Sequence, residues 1–150
     1  MSRRCEAGSP VGLLDEGTML APSADHDWTL LAADESGMPA VLGVLASLPR
    51  DAQGVAIVEV PTAQDVQHPD APAGVQVRWL VRQDAHAVPG RLTLAAVQDL
   101  DVPAGRPYAF VVGEAALATG ARRHLVTARG LPKADVTFSG YWKHGARPQR

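Results

Sequence analysis

The feature that most constrains this chain is an alternation of short apolar, β-rich runs with segments that carry helical signals. The runs cover residues 28–33, 55–60, 75–81, 108–112 and 136–139. They are largely continuous rather than alternately polar, as in strands covered on both faces, and strands joined by helical crossovers run parallel. The expected fold is therefore α/β: a single three-layer domain, a parallel sheet of about five strands with helices on both faces. A length of 150 residues with 46% hydrophobic content suits one such domain.

The intervening segments fit that plan. Pro39 suits the first turn of a helix, Met38, Val41, Leu42 and Leu45 recur at helical spacing, and Pro49 ends the segment. Residues 61–73 are polar and Pro-containing and read as a loop or irregular crossover. Residues 91–100 are helical by composition. The clearest helix places Leu117, Ala121, Leu125 and Ala128 on one face, with Gly130 in the left-handed position past its end, Leu131 covering it and Pro132 preventing continuation. The expected organisation is a loose N-terminus over 1–10, one domain over 11–145 and a basic tail over 146–150.

Charge and cysteine content exclude several classes. A formal net charge of −2 gives no basic face to displace counterions from nucleic acid. The single cysteine, Cys5, cannot form an internal disulfide, which fits a reducing compartment. The basic start Arg3-Arg4 is followed by Gly, Ser, Pro and Glu instead of the apolar stretch of an export signal, and no apolar run is long enough to cross a bilayer. The expected location is cytoplasmic. The five histidines show no metal-ligand spacing, and no nucleophile elbow, Walker loop or serine–histidine pattern marks a catalytic group.

In an open parallel sheet, ligands collect at the carboxyl ends of the strands. Three segments follow strands directly. After the first strand, Asp34, Glu35 and Ser36 precede a helix whose amides can approach a diphosphate, although the two acids would repel it unless turned away. Helix capping is the stronger reading of these residue types. After the fourth strand, Gly113, Glu114 and Ala115 offer close backbone approach and a carboxylate for a hydroxyl or amide; a tight turn with an acid favouring the helix dipole explains them equally well. After the fifth, Tyr141, Trp142 and Lys143 could stack on a planar ring and neutralise an anion, or anchor the chain terminus. Glu59, near the end of the second strand, sits where an acid often contacts a ribose hydroxyl; a strand-end residue reaching water is the plainer alternative.

Together these landmarks resemble the C-terminal domain of siderophore-interacting proteins, a branch of the ferredoxin-reductase-like flavoenzymes. The carriers are the 28–40 strand, acidic turn and proline-started helix, Val75–Leu80, Phe110-Val111-Val112-Gly113-Glu114-Ala115, Arg122-Arg123-His124-Leu125, Arg129-Gly130-Leu131-Pro132 and Ser139-Gly140-Tyr141-Trp142-Lys143. Their order and spacing extend over about residues 11–145. The resemblance implies that NADPH or NADH binds this domain and reduces a flavin held by an N-terminal barrel. The flavin then reduces the iron of a ferric siderophore, releasing it. It also implies that Asp34–Ser36 and Gly113–Ala115 line the nicotinamide cleft, with Tyr141, Trp142 and Lys143 toward flavin and siderophore.

Two departures bear on activity. The family glycine before the acidic pair is Ala33, whose methyl would crowd a ligand. Only Val11-Gly12-Leu13-Leu14 resembles part of the flavin barrel, its last strand, so FAD is not expected on this chain alone and the chain alone is expected to be inactive as a reductase. The expected partners are a flavin-binding reductase subunit or a ferric siderophore, with a homodimer, or residues 11–14 folded back, covering the face the barrel would cover; nucleic acid and membrane are not expected. The alternative is a non-catalytic binding protein of the same fold with a degenerate cofactor site.

Overall fold

The computed structural model describes Leu20, residues 22–84 and residues 86–146. The elements run β1 (Trp28–Ala33), α1 (Met38–Ser47), β2 (Gly54–Val60), β3 (Val75–Val81), α2 (Arg91–Gln98), β4 (Pro107–Glu114), α3 (Ala115–Arg123) and β5 (Val136–Trp142). All five strands form one sheet in the order β3-β2-β1-β4-β5, and every neighbouring pair is parallel. The expected α/β architecture holds. The residue 11–14 segment and the end of the basic tail lie outside the described residues.

Burial accounts for the apolar runs. β1, the central strand, is buried at all six positions because it has a strand on each side and helices on both faces. Its alternate side chains feed two cores. Leu30 and Ala32 join Ile57, Val97, Val111, Leu117 and Leu125 beneath α2 and α3. Leu31 and Ala33 join Val41, Leu45, Val58, Tyr108 and Phe110 beneath α1. Each fully buried side chain of this size contributes roughly 1.5–3 kcal/mol. The β2–β3 connection contains only a 3₁₀ turn (Ala63–Asp65), and its Val66 and Ala71 pack on the α1 side.

Three boundaries differ from the sequence expectation for identifiable reasons, one of them β4, which continues past Val112 through Gly113 to Glu114 by pairing with β5. Past Arg123 the helix widens into a π turn (His124–Ala128) closed by Arg129 N–H donating to the His124 carbonyl at 3.2 Å. The wider turn rotates the apolar face, so Leu117, Ala121 and Leu125 are buried while Ala128 is exposed. Gly130 does adopt φ 73°, and Leu131 N–H donates to the Leu125 carbonyl at 3.0 Å, ending the helix as expected. β5 continues through Gly140 to Trp142, where the sequence placed a break after Ser139. The strand continues because Gly113 pairs with Gly140 and Glu114 with Trp142, across a local register shift. Lateral pairing overrides the weak strand preference of glycine.

At the amino end, His26 Nε2 and Arg106 both contact the buried Asp135, at 3.0 and 2.7 Å, fastening the entry to β1 to the approach to β5.

Candidate functional site at the carboxyl rim

The topology leaves a crevice where β1 and β4 lie side by side. The helices that follow them, α1 and α3, pack on opposite faces of the sheet, so the chain diverges at this switch point. The three predicted segments meet there. Glu114 N–H donates to Asp34 Oδ2 at 2.7 Å, Trp142 Nε1 donates to Ser36 Oγ at 3.1 Å, and His144 N–H donates to Glu114 Oε1 at 3.0 Å. Asp34, Gly113 and Tyr141 therefore belong to one rim.

The acids of this rim serve the fold. Asp34, fully buried, accepts from the Ser36 hydroxyl, from Ser36 N–H at 2.9 Å, from Gly37 N–H at 3.3 Å and from Glu114 N–H. Gly113, at φ 141°, makes room for this carboxylate: a Cβ there would stand 2.7 Å from Asp34 Cγ. Its lack of a side chain thus admits Asp34 to the turn. Glu114 caps α3 by accepting from Ala116 N–H at 2.6 Å and Leu117 N–H at 3.3 Å. Burial pushes the Glu114 carboxyl up, but the His144, Ala116 and Leu117 amides outweigh that and hold it below its ordinary value.

Glu59, near the end of β2, does not reach water. It is fully buried and accepts from Gly90 N–H at 3.0 Å, Thr93 N–H at 3.1 Å and Arg82 Nη1 at 2.7 Å. Arg82 also forks onto Glu35. The hydrogen bonds it donates to Glu35 raise the Arg82 guanidinium pKa above its ordinary value against the opposing effect of burial. Burial alone would push Glu35 up; its bonds with Arg82 bring it below the ordinary carboxylate value. Arg82 was not among the sequence candidates, although its place directly after β3 satisfies the strand-end rule that selected the others.

Beside this network lies a cleft of about 520 Å³ between the starts of α2 and α3. Its walls include Val88, Pro89, Leu94 and Leu117, with Arg91 and Lys143 among the charged lining residues. Of the predicted residues, Glu114, Ala115 and Lys143 line it; Asp34, Glu35, Ser36, Gly113, Tyr141 and Trp142 do not. Tyr141 and Trp142 are 47% and 37% exposed at the end of the β5 edge strand. Sequence reasoning missed the α2 wall, for which Pro89-Gly90 ahead of a helix was the available signal. The Ala33 methyl sits in the core beneath α1, whereas Leu117 of the cleft wall belongs to the core on the other face. It does not crowd the cleft. Among the described residues, no group of three or more His, Cys, Asp or Glu could hold a metal ion, and no helix is long and apolar enough to cross a membrane.

The model of the family described as siderophore-interacting protein matches residues 26–145 of this sequence. The chain belongs to the siderophore-interacting protein family. It is 35% identical to an uncharacterised protein of Mycobacterium tuberculosis, covering 93% of this chain and 53% of that protein. It is 29% identical to the ferric vibriobactin reductase ViuB of Vibrio cholerae, covering 95% of this chain and 52% of that protein. Among solved structures, a siderophore utilization protein from T. fusca superposes with TM-score 0.74 at 36% identity, over 87% of this chain and 49% of that one. The siderophore-interacting protein SipS from Aeromonas hydrophila does so with TM-score 0.70 at 26% identity, over 82% and 48%. The chain spans about half the length of these relatives.

Proposed function

We propose that this domain is the nicotinamide-nucleotide-binding part of a ferric-siderophore reductase system, acting with a flavin-binding barrel to free iron from its chelator. The observation that carries the reading is the 520 Å³ cleft at the carboxyl rim, next to the switch point between β1 and β4. That is where an open parallel sheet takes its ligand, and the volume lies within the range of small-molecule and cofactor pockets. Bound NADPH or NADH would supply hydride to a flavin. The residues of this chain hold and orient the nucleotide: Val88, Pro89 and Leu94 cover apolar surface, Ala115 permits close approach, and Lys143 meets phosphate. Asp34, Glu35, Ser36 and Gly113 shape the cleft from behind.

Tyr141 and Trp142 project from the edge strand beside that rim, with Phe138 also exposed on the same strand. In this reading they face the flavin-bearing partner and its siderophore, or a second copy of this chain. Titration with NADPH and NADH, followed by tryptophan fluorescence, tests the proposal. Trp142, hydrogen-bonded at the rim, is the expected reporter. Saturable quenching supports the reading, and no saturable signal at about millimolar cofactor refutes it, since such affinity is worth only about 4 kcal/mol.

One observation favours a second reading, a non-catalytic binding protein of the same fold. The turn amides that a dinucleotide fold turns toward phosphate are engaged by Asp34, Glu59 and Glu114. The same titration separates the two readings.

A further inference from the structure

The occupied turns decide how a nucleotide can be held, given the nucleotide reading above on which this inference rests. Asp34 takes the amides of the β1–α1 turn, Glu59 those at the start of α2, and Glu114 those at the start of α3. These three residues are 0%, 0% and 2% exposed. A phosphate drawn to any of these amides would meet a buried carboxylate at short range and would have to displace it from its donors. Like charges in a poorly solvated site repel strongly, so the amide route to phosphate is closed.

The cleft offers cationic side chains instead. Arg91 is the first residue of α2, and Lys143 follows β5; both line the cleft. Neither has an ion-pair partner among the described residues, whereas Arg82 and Arg106 do. The acid in the lining, Glu114, already has both oxygens engaged by backbone N–H groups. With two cations and one such carboxylate, the lining is positive on balance.

Glu59 completes the argument. An acid at the end of β2 in a dinucleotide fold ordinarily bonds the ribose 2′-hydroxyl and repels a 2′-phosphate. Here that acid is buried, paired with an Arg82 that it shares with Glu35, and bonded to the amides of Gly90 and Thr93 on either side of Arg91. It sets the position of the turn that carries Arg91 and presents no charge to the cleft. Glu59 itself therefore does not meet a 2′-phosphate in the cleft, and a cation stands on the wall it supports.

We propose that the cleft recognises nucleotide phosphates through Arg91 and Lys143 rather than through turn amides, and that Arg91 makes it prefer NADPH to NADH by contacting the 2′-phosphate. The test is equilibrium titration of the full chain with NADPH, NADH, adenosine 2′,5′-bisphosphate and adenosine 5′-monophosphate at low and high salt. NADPH should bind roughly tenfold more tightly than NADH at low salt, the worth of one charge-assisted hydrogen bond at its lower end. The bisphosphate should likewise exceed the monophosphate, and both preferences should shrink as salt screens the exposed guanidinium. Arg91→Ala should bring NADPH down to the affinity of NADH and leave NADH within about twofold, while Arg91→Lys keeps most of the preference. Arg91 is exposed and has no ion-pair partner among the described residues, so an unchanged melting temperature verifies that the variants are folded.

NADH binding as tightly as NADPH, or Arg91→Ala weakening both cofactors equally, overturns the Arg91 assignment and leaves the nucleotide site standing. Binding of neither cofactor overturns the nucleotide reading and this inference with it.

Discussion

Replacing Asp34 with alanine separates an internal clamp from a cofactor ligand. The carboxylate has three backbone donors, and they differ in what they lose. Ser36 is exposed, so its amide turns to water at little cost. Gly37 N–H also donates to the Asp34 carbonyl at 3.1 Å and keeps that bond. Glu114 N–H is buried and is left without an acceptor, a loss of about 2–3 kcal/mol when the acceptor removed was charged. The emptied space beside Gly113 adds a smaller packing loss. The expected destabilisation is about 3 kcal/mol, or roughly 6–12 °C in melting temperature for a domain of this size. Urea denaturation and a thermal melt measure it directly, without cofactor. A variant within about 0.5 kcal/mol of the parent, the usual range for a surface change, would refute the clamp and return Asp34 to the list of ligands.

Other perturbations follow from the same contacts. Arg82→Met removes the counter-ion of the buried Glu59 and should cost about 3–5 kcal/mol by urea denaturation, with Glu59→Gln in the same chain recovering part of the loss; purely additive effects would show that the pair is not coupled. Gly113→Ala places a Cβ 2.7 Å from Asp34 Cγ at φ 141°, so it should destabilise by about 2 kcal/mol or more, and a neutral effect in thermal melts would contradict the turn geometry. The Arg106 hydrogen bonds hold Asp135 below its ordinary value of 3.8, with burial opposing and His26 assisting. Because the folded value is the lower one, that stabilisation is present above the unfolded value and disappears as pH falls through the folded one. Urea midpoints measured from about pH 6 to pH 2 should therefore decline on the acid side, and Asp135→Asn should flatten that limb; an unchanged slope would remove Asp135 from the account.

Much of the fold is legible in the sequence because local chemistry and the final environment agree. The continuous apolar runs at 28–33 and 108–112 are buried strands, Pro39 lies in the first turn of α1, and Gly130 takes the left-handed position past α3. Where they disagreed, the local reading missed. Gly140 suggested a break, but pairing with Gly113 carries the strand onward; Ala128 matched the helical spacing, but the π turn moved it to the surface. The candidate site divides in the same way. Strand-end position correctly gathered Asp34, Gly113 and the Tyr141 segment at one rim; the same rule reached Arg82, and Pro89-Gly90 marked the start of α2, but nothing in the neighbours of Arg82, Arg91 and Leu94 shows where their side chains lie.

The sequence by itself determined the class of fold and the kinship, since hydrophobic period, turn residues and motif order are all properties of the chain read locally. Only the tertiary structure decided what the acids of that rim do. Asp34, Glu59 and Glu114 look alike in one dimension to carboxylates awaiting a ligand; in three dimensions each is buried against amides brought from a distant or neighbouring turn. A carboxylate's role depends on which donors reach it, and for Asp34 and Glu59 these include amides 80 and 31 residues away.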